Sequence, residues 1–181
     1  MRYIACFGDS LTEGFPFGSG NSWTAAVEKY SGIKMLNYGS CGACCDDIFY
    51  RLRYTCLPDY VKHVIFFGGA NDVIEGRMLE HTLRDFESAS AWAEDRGVKL
   101  CFVLPLLSGE EFLNTKLKLL RQHLAENFAE KNFLLDIQTG LLMKYSDLQT
   151  AYLDGVHPKA GAYECMGAYA APLLRKWLSE E

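Results

Sequence analysis

Short apolar runs alternate along this chain with longer stretches whose apolar positions recur every three to four residues. That pattern belongs to a sheet wrapped by helices. The short runs predict strands near Tyr3–Phe7, Ile33–Leu36, His63–Phe67, Val98–Leu104 and Phe133–Asp136. These runs lack strict polar alternation, as expected of strands covered on both faces. Helices are predicted near Ser22–Tyr30, Asp46–Tyr54, Met78–Arg96 and Asn114–Glu130, with a last one from about Pro158 to Leu178. Leu117, Leu120, Leu124 and Phe128 form one core-facing stripe, and Leu79, Leu83, Phe86 and Trp92 form another. Tyr163, Met166, Ala170, Leu173 and Trp177 do the same in the last helix. Gly32, Gly97 and Asn132 follow helices where a left-handed cap is expected. No repeat, low-complexity tract or linker interrupts the pattern, which predicts one domain over residues 1–181, an α/β three-layer sandwich on five parallel strands.

Composition narrows the classes of function. A chain of 181 residues with 49% apolar and 23% charged residues can bury a core without disulfide staples. A net charge of −5 and the absence of any long Lys/Arg cluster argue against a nucleic-acid partner. Lys116, Lys118 and Arg121, the densest basic stretch, read as a solvated helical face. The apolar runs are too short for a membrane span. The chain reaches a turn by Gly8, which leaves no room for a signal-peptide core. Seven unpaired-looking cysteines fit free thiols, so a cytoplasmic protein is expected.

The candidate chemistry concentrates after the predicted strands, where ligands sit in open α/β sheets. Gly8-Asp9-Ser10-Leu11 follows the first strand, and Asn37-Tyr38-Gly39-Ser40-Cys41-Gly42 the second. Gly68-Gly69-Ala70-Asn71-Asp72 follows the third, and Asp154-Gly155-Val156-His157-Pro158 lies beyond the fifth. These four segments resemble the blocks of the GDSL, or SGNH, hydrolase family, in order and over nearly the whole chain. The resemblance implies that Ser10 is a nucleophile, His157 its base and Asp154 the group that orients the base. It also implies an oxyanion hole from the N–H groups of Ser10 and Gly42 and the amide of Asn71, with Gly39 competing for the role of Gly42. The fold it implies is flavodoxin-like, with strand order 2-1-3-4-5. The implied activity is hydrolysis of acyl esters, with no cofactor or metal and a small-molecule ester as substrate; 181 residues leave no space for a large lid domain, which favours small, soluble esters, acetylated carbohydrate among them.

The residue types support that chemistry independently. A serine alcohol needs an adjacent base, and the base needs a third group to hold it. Asp154 and His157 lie three apart in a Gly-containing segment, and a four-residue turn brings its end Cα atoms within about 7 Å. Pro158 disfavours helical backbone at His157 and then suits the first turn of the last helix. A developing oxyanion needs aimed donors, and loops after three adjacent strands can supply them together.

Other readings compete for the same residues. Ser10 could be only a helix cap. Asp9 and Asp72 are expected to bond backbone amides in their own loops. His63, His81 and His123 are expected to be structural or surface residues. Cys41, Cys44 and Cys45, beside Asp46 and Asp47, lack the second ligand pair that structural zinc requires. Cys6, Cys56, Cys101 and Cys165 read as small core residues. Trp23 reads as core, Phe15 and Phe17 as a pocket wall, and Leu106, Leu107 and Ser108 as lining of the same cleft. A flavodoxin-like nucleotide-binding protein is disfavoured by Asp9 and Glu13 where a phosphate would sit. An inactive module binding acylated carbohydrate would not need the complete set of catalytic types. A classical α/β-hydrolase would need a Gly-x-Ser-x-Gly elbow, which the chain lacks.

Overall fold

The computed structural model describes residues 2–179. Its order is β1 (Tyr3–Gly8), α1 (Ser10–Glu13), a 3-10 turn (Ser19–Asn21), α2 (Trp23–Ser31), β2 (Lys34–Gly39), α3 (Cys45–Tyr54), β3 (His63–Phe67), α4 (Ala70–Ile74) and α5 (Leu79–Asp95). Then follow β4 (Lys99–Val103), α6 (Glu111–Phe128), β5 (Phe133–Leu135), α7 (Gln138–Leu142), α8 (Leu148–Ala151) and α9 (Ala160–Trp177). All strand pairings are parallel, in the order β2-β1-β3-β4-β5.

The pleat sorts each strand onto two cores. Ile4, Cys6, Ile65, Phe67, Cys101 and Val103 face one layer, where Trp23 and Val27 of α2 meet Tyr163, Met166 and Ala170 of α9. Ala5, Phe7, Val64, Phe66, Leu100 and Phe102 face the other, against α3, α5 and α6. There Phe66, Phe86, Phe102 and Phe128 pack with ring centroids 5.0–6.3 Å apart. The three-layer α/β/α sandwich and its strand order are those expected.

Local signals explain most of the boundaries. Ser22 caps α2 by accepting the Ala25 N–H, and Gly32 closes that helix at φ 74°. A cap of this kind contributes about 1 kcal/mol. Gly97 is likewise left-handed, but Asn132 is not: among the described residues only glycines have positive φ. The Asn132 N–H instead returns to the Phe128 carbonyl, and its side chain accepts from Ser90. The short helices α1, α4, α7 and α8 carry too few residues to show a period, and none was expected. Cys56 is exposed and Cys165 only partly covered, so neither is the core residue its type suggested. Among the described residues no helix is long and apolar enough to cross a membrane.

Candidate active site

The register sets where the site forms. Gly8 pairs across with Gly39 on one side and Phe67 on the other, so β1, β2 and β3 end level. Their following loops therefore share one edge of the sheet. Asp9 caps α1 by accepting the Leu11 N–H at 2.9 Å, which places Ser10 at the first helical position. Ser10 is buried, yet its Oγ lies 3.0 Å from His157 Nε2. His157 Nδ1 lies 2.7 Å from Asp154 Oδ2. A hydroxyl, an imidazole and a carboxylate thus form one hydrogen-bonded chain, the arrangement through which a serine alcohol can give up its proton.

The Asp154–His157 loop is fixed from several sides. Its ends are closed by the Leu153 N–H bonded to the His157 carbonyl and by a bridge between Tyr152 and Pro158. Asp154 Oδ1 accepts the N–H groups of Val156 and His157 at 3.0 and 2.8 Å. Partial burial pushes the Asp154 carboxyl up, but those two N–H groups and the imidazole outweigh it and hold the carboxyl below its usual range. The Gly155 carbonyl accepts both the Gly109 N–H and the Ser108 hydroxyl at 2.7 Å, tying the loop to the segment after β4. Phe15 packs its ring on the His157 ring with centroids 4.7 Å apart, and its carbonyl accepts from Tyr163. Tyr163 is the core residue expected of it, but its bond to Phe15 and the Gly155 tether join partners distant in the chain, which no local pattern shows.

The two candidate glycines of the second loop separate cleanly. Gly39 spends its N–H on Asn37 Oδ1, and a Cβ there would stand 2.1 Å from the Glu13 nitrogen. It is a close-approach residue. Gly42 lies at φ 76° with open space around its missing Cβ. Its neighbours are pinned: the Cys41 N–H donates to Glu13, and the Ala43 carbonyl accepts the Asn71 amide at 3.0 Å. Among the described residues neither the Ser10 nor the Gly42 N–H has a protein acceptor. Asn71 keeps a second amide hydrogen after bonding Ala43. Three donors from adjacent loops thus stand at the edge that carries Ser10.

Asp9 does bond within its own loop, as expected. Asp72 does more: buried, it accepts the Cys45 N–H at 3.0 Å and the Thr82 hydroxyl, and it pairs with Arg77. Arg77 also reaches Asp46 and Asp85 at 3.2 Å. Asp72 thereby joins α4, after β3, to the start of α3, after β2, which only tertiary contacts could show. Cys41 is exposed while Cys44 and Cys45 are buried, and burial pushes the Cys44 thiol up to about 12. Among the described residues no group of three or more His, Cys, Asp or Glu is placed to hold a metal. His63 opens β3 edge-on to Trp177, and His81 and His123 lie on α5 and α6. Trp23 is core. Phe17 is exposed, whereas Leu106, Leu107 and Ser108 line a slot that also includes Leu11, next to Ser10.

The model of the GDSL-like lipase/acylhydrolase family matches residues 6–165. No curated protein matches the chain significantly. Among solved structures, a protein of the G-D-S-L family from Desulfitobacterium hafniense DCB-2 is similar at 26% identity and TM-score 0.84, over 96% of this chain and 99% of that one. A G-D-S-L family member from Veillonella parvula DSM 2008 is similar at 21% identity and TM-score 0.84, over 97% and 100%. The psychrotrophic esterase EstA from Pseudoalteromonas sp. is similar at 18% identity and TM-score 0.78, over 99% and 100%. The last two likenesses are of fold.

Proposed function

The chain belongs to the GDSL-like lipase/acylhydrolase family, and we propose on that premise that it is a serine ester hydrolase working through an acyl-enzyme on Ser10. The observation that carries this reading is the hydrogen-bonded chain from Ser10 Oγ through His157 to Asp154, at 3.0 and 2.7 Å. In the first half-reaction the Ser10 oxygen attacks the acyl carbon while His157 Nε2 takes its proton. The ester C–O bond then breaks, and His157 returns the proton to the leaving alcohol. In the second half-reaction His157 deprotonates a water that attacks the acyl-enzyme, releasing the acid and regenerating Ser10. Asp154 holds the imidazole with Nε2 toward Ser10 and stabilises its charged form. The N–H groups of Ser10 and Gly42 and the Asn71 amide receive the oxyanion, which forms only in passing.

Hydrolysis of p-nitrophenyl acetate by the purified protein tests the assignment. Ser10→Ala should lower kcat by about 10⁴-fold or more, with the fold intact by circular dichroism. Turnover by Ser10→Ala within tenfold of wild type would remove Ser10 as nucleophile.

A further inference from the structure

A narrow apolar slot opens beside the Ser10–His157 pair. Leu11, Ala70 and Val156 stand on its walls, and they are the chain neighbours of Ser10, Asn71 and His157. The slot therefore shares its walls with the three short segments that carry Ser10, Asn71 and His157. Leu106, Leu113, Leu117 and Tyr152, all buried, close its far side, while Ile74 stands half-exposed at the rim. The lining is apolar apart from Ser108 and the Tyr152 hydroxyl, and both of those have partners on the protein.

The slot is small. Its cavity is ≈ 10 Å³, at the lower bound of what one water molecule occupies. So little free space leaves room for no more than one small group such as a methyl, and a longer acyl chain would have to move a wall. The wall formed by Leu106, Leu107 and Ser108 is held against such movement. The Leu107 N–H donates to Gln138 Oε1 at 2.6 Å, and the Leu107 carbonyl accepts the Tyr152 hydroxyl at 2.5 Å. One residue on, the Ser108 N–H and carbonyl both bond the Asn114 amide, at 2.8 and 2.9 Å. Gln138, Asn114 and Tyr152 are buried, so widening the slot would break bonds that water cannot easily replace.

We propose that this slot takes the acyl side of the substrate and restricts it to acetyl, with Leu113 and Tyr152 setting the limit. The inference rests on the reading of Ser10 as nucleophile and adds the substrate class: O-acetyl esters, with the alcohol left on the open side of the site. The products are acetate and the free alcohol, the carbonyl carbon passing from the alcohol oxygen to Ser10 and then to water.

The test is the chain-length profile on p-nitrophenyl esters from acetyl to octanoyl. One methylene in an apolar pocket changes kcat/KM by about tenfold or more. Wild type should therefore fall at least about tenfold from acetyl to butyryl and further to octanoyl. Leu113→Ala, which removes part of the far wall, should raise butyryl relative to acetyl by about tenfold. Ile74 is half-exposed, so Ile74→Ala should leave the fold intact and raise the same ratio by a smaller factor of about three. Wild type cleaving octanoyl as fast as acetyl, or a butyryl-to-acetyl ratio unmoved in the variants that fold, would overturn the slot while leaving Ser10-dependent hydrolysis standing. Cleavage of no ester at any length, with no covalent adduct on Ser10, would instead overturn the nucleophile reading and the slot with it.

Discussion

Replacing Asn71 by alanine separates the proposed oxyanion hole from mere loop architecture, because the amide has both jobs open to it. One N–H bonds the Ala43 carbonyl at 3.0 Å, and its loss should destabilise the fold by about 1 kcal/mol. For a chain of this size that is a fall in melting temperature of about 2–4 °C. The other N–H is assigned to an oxyanion that exists only in the transition state and tetrahedral intermediate, so its loss should act on kcat and leave KM nearly unchanged. A single such donor is worth about 10²–10³-fold, or roughly 3–4 kcal/mol. The two effects therefore differ in size and in the quantity they move. Initial rates and a melting curve should be taken on the same preparation, at a temperature well below the transition. Asn71→Ala should lose the few degrees and about two to three decades of kcat, and should still react with a fluorophosphonate, more slowly. Asn71→Asp should be at least as damaging, since a carboxylate repels the developing charge. A lowered melting temperature with unchanged kcat would refute the reasoning and leave Asn71 as a strut for the Ala43 loop.

Asp154→Asn keeps the shape beside His157 but offers it no charge, so kcat should fall by about 10³–10⁴-fold; a loss below tenfold in steady-state kinetics would contradict the orienting role. Asp9 is raised to about 7, chiefly by burial, with the Asp72 charge adding to it and the Leu11 N–H opposing it. The folded chain thus keeps a proton that the unfolded chain loses near pH 4, so this group makes stability fall as pH rises from about 4 to about 7 and stay level above. Asp9→Asn keeps a cap for Leu11 without that slope, and urea melts should show it more stable than wild type at pH 8, by on the order of 2–4 kcal/mol, and equal at pH 4; parallel stability curves for the two proteins would contradict this. Gly39→Ala should unfold the chain or lower its melting temperature sharply, because its Cβ would meet the Glu13 backbone at 2.1 Å. Gly42→Ala meets open space and only left-handed strain, a cost of about 1–2 kcal/mol; the opposite ranking in thermal melts would contradict the division between these two glycines.

How much of this was legible in the sequence follows from the range of each interaction. The runs at Tyr3–Phe7 and His63–Phe67 announce buried strands because their own residues carry the apolar pattern, and Gly32 and Gly97 announce helix ends by their own backbone freedom. Ser10, Asn71, Asp154 and His157 stood out because each lies directly after or beyond a strand in a short polar block, and the structure brings Ser10, Asp154 and His157 together. The resemblance left Gly39 and Gly42 in competition, since nothing local distinguishes two glycines three residues apart. What separates them is Glu13, on the far side of a strand pairing. Asn132 looked like a left-handed cap by residue type, but its amide found Ser90 on α5 instead. Asp72 looked local and proved to bind Cys45, Thr82 and Arg77. The slot, too, is assembled from α1, α4, α6 and the loops after β4 and before α9, so no single segment could display it.

The measurement that bears most directly on the central claim is intact-mass and peptide mass spectrometry after treatment with a fluorophosphonate. Such a reagent phosphonylates an alcohol only where a base has activated it. A Ser10 nucleophile activated by His157 gives one adduct per chain, on the peptide that contains Ser10, formed more slowly in His157→Ala, with ester hydrolysis lost in step with labelling. An adduct on another serine or on Cys41, or hydrolysis that persists in fully labelled Ser10 protein, would contradict it.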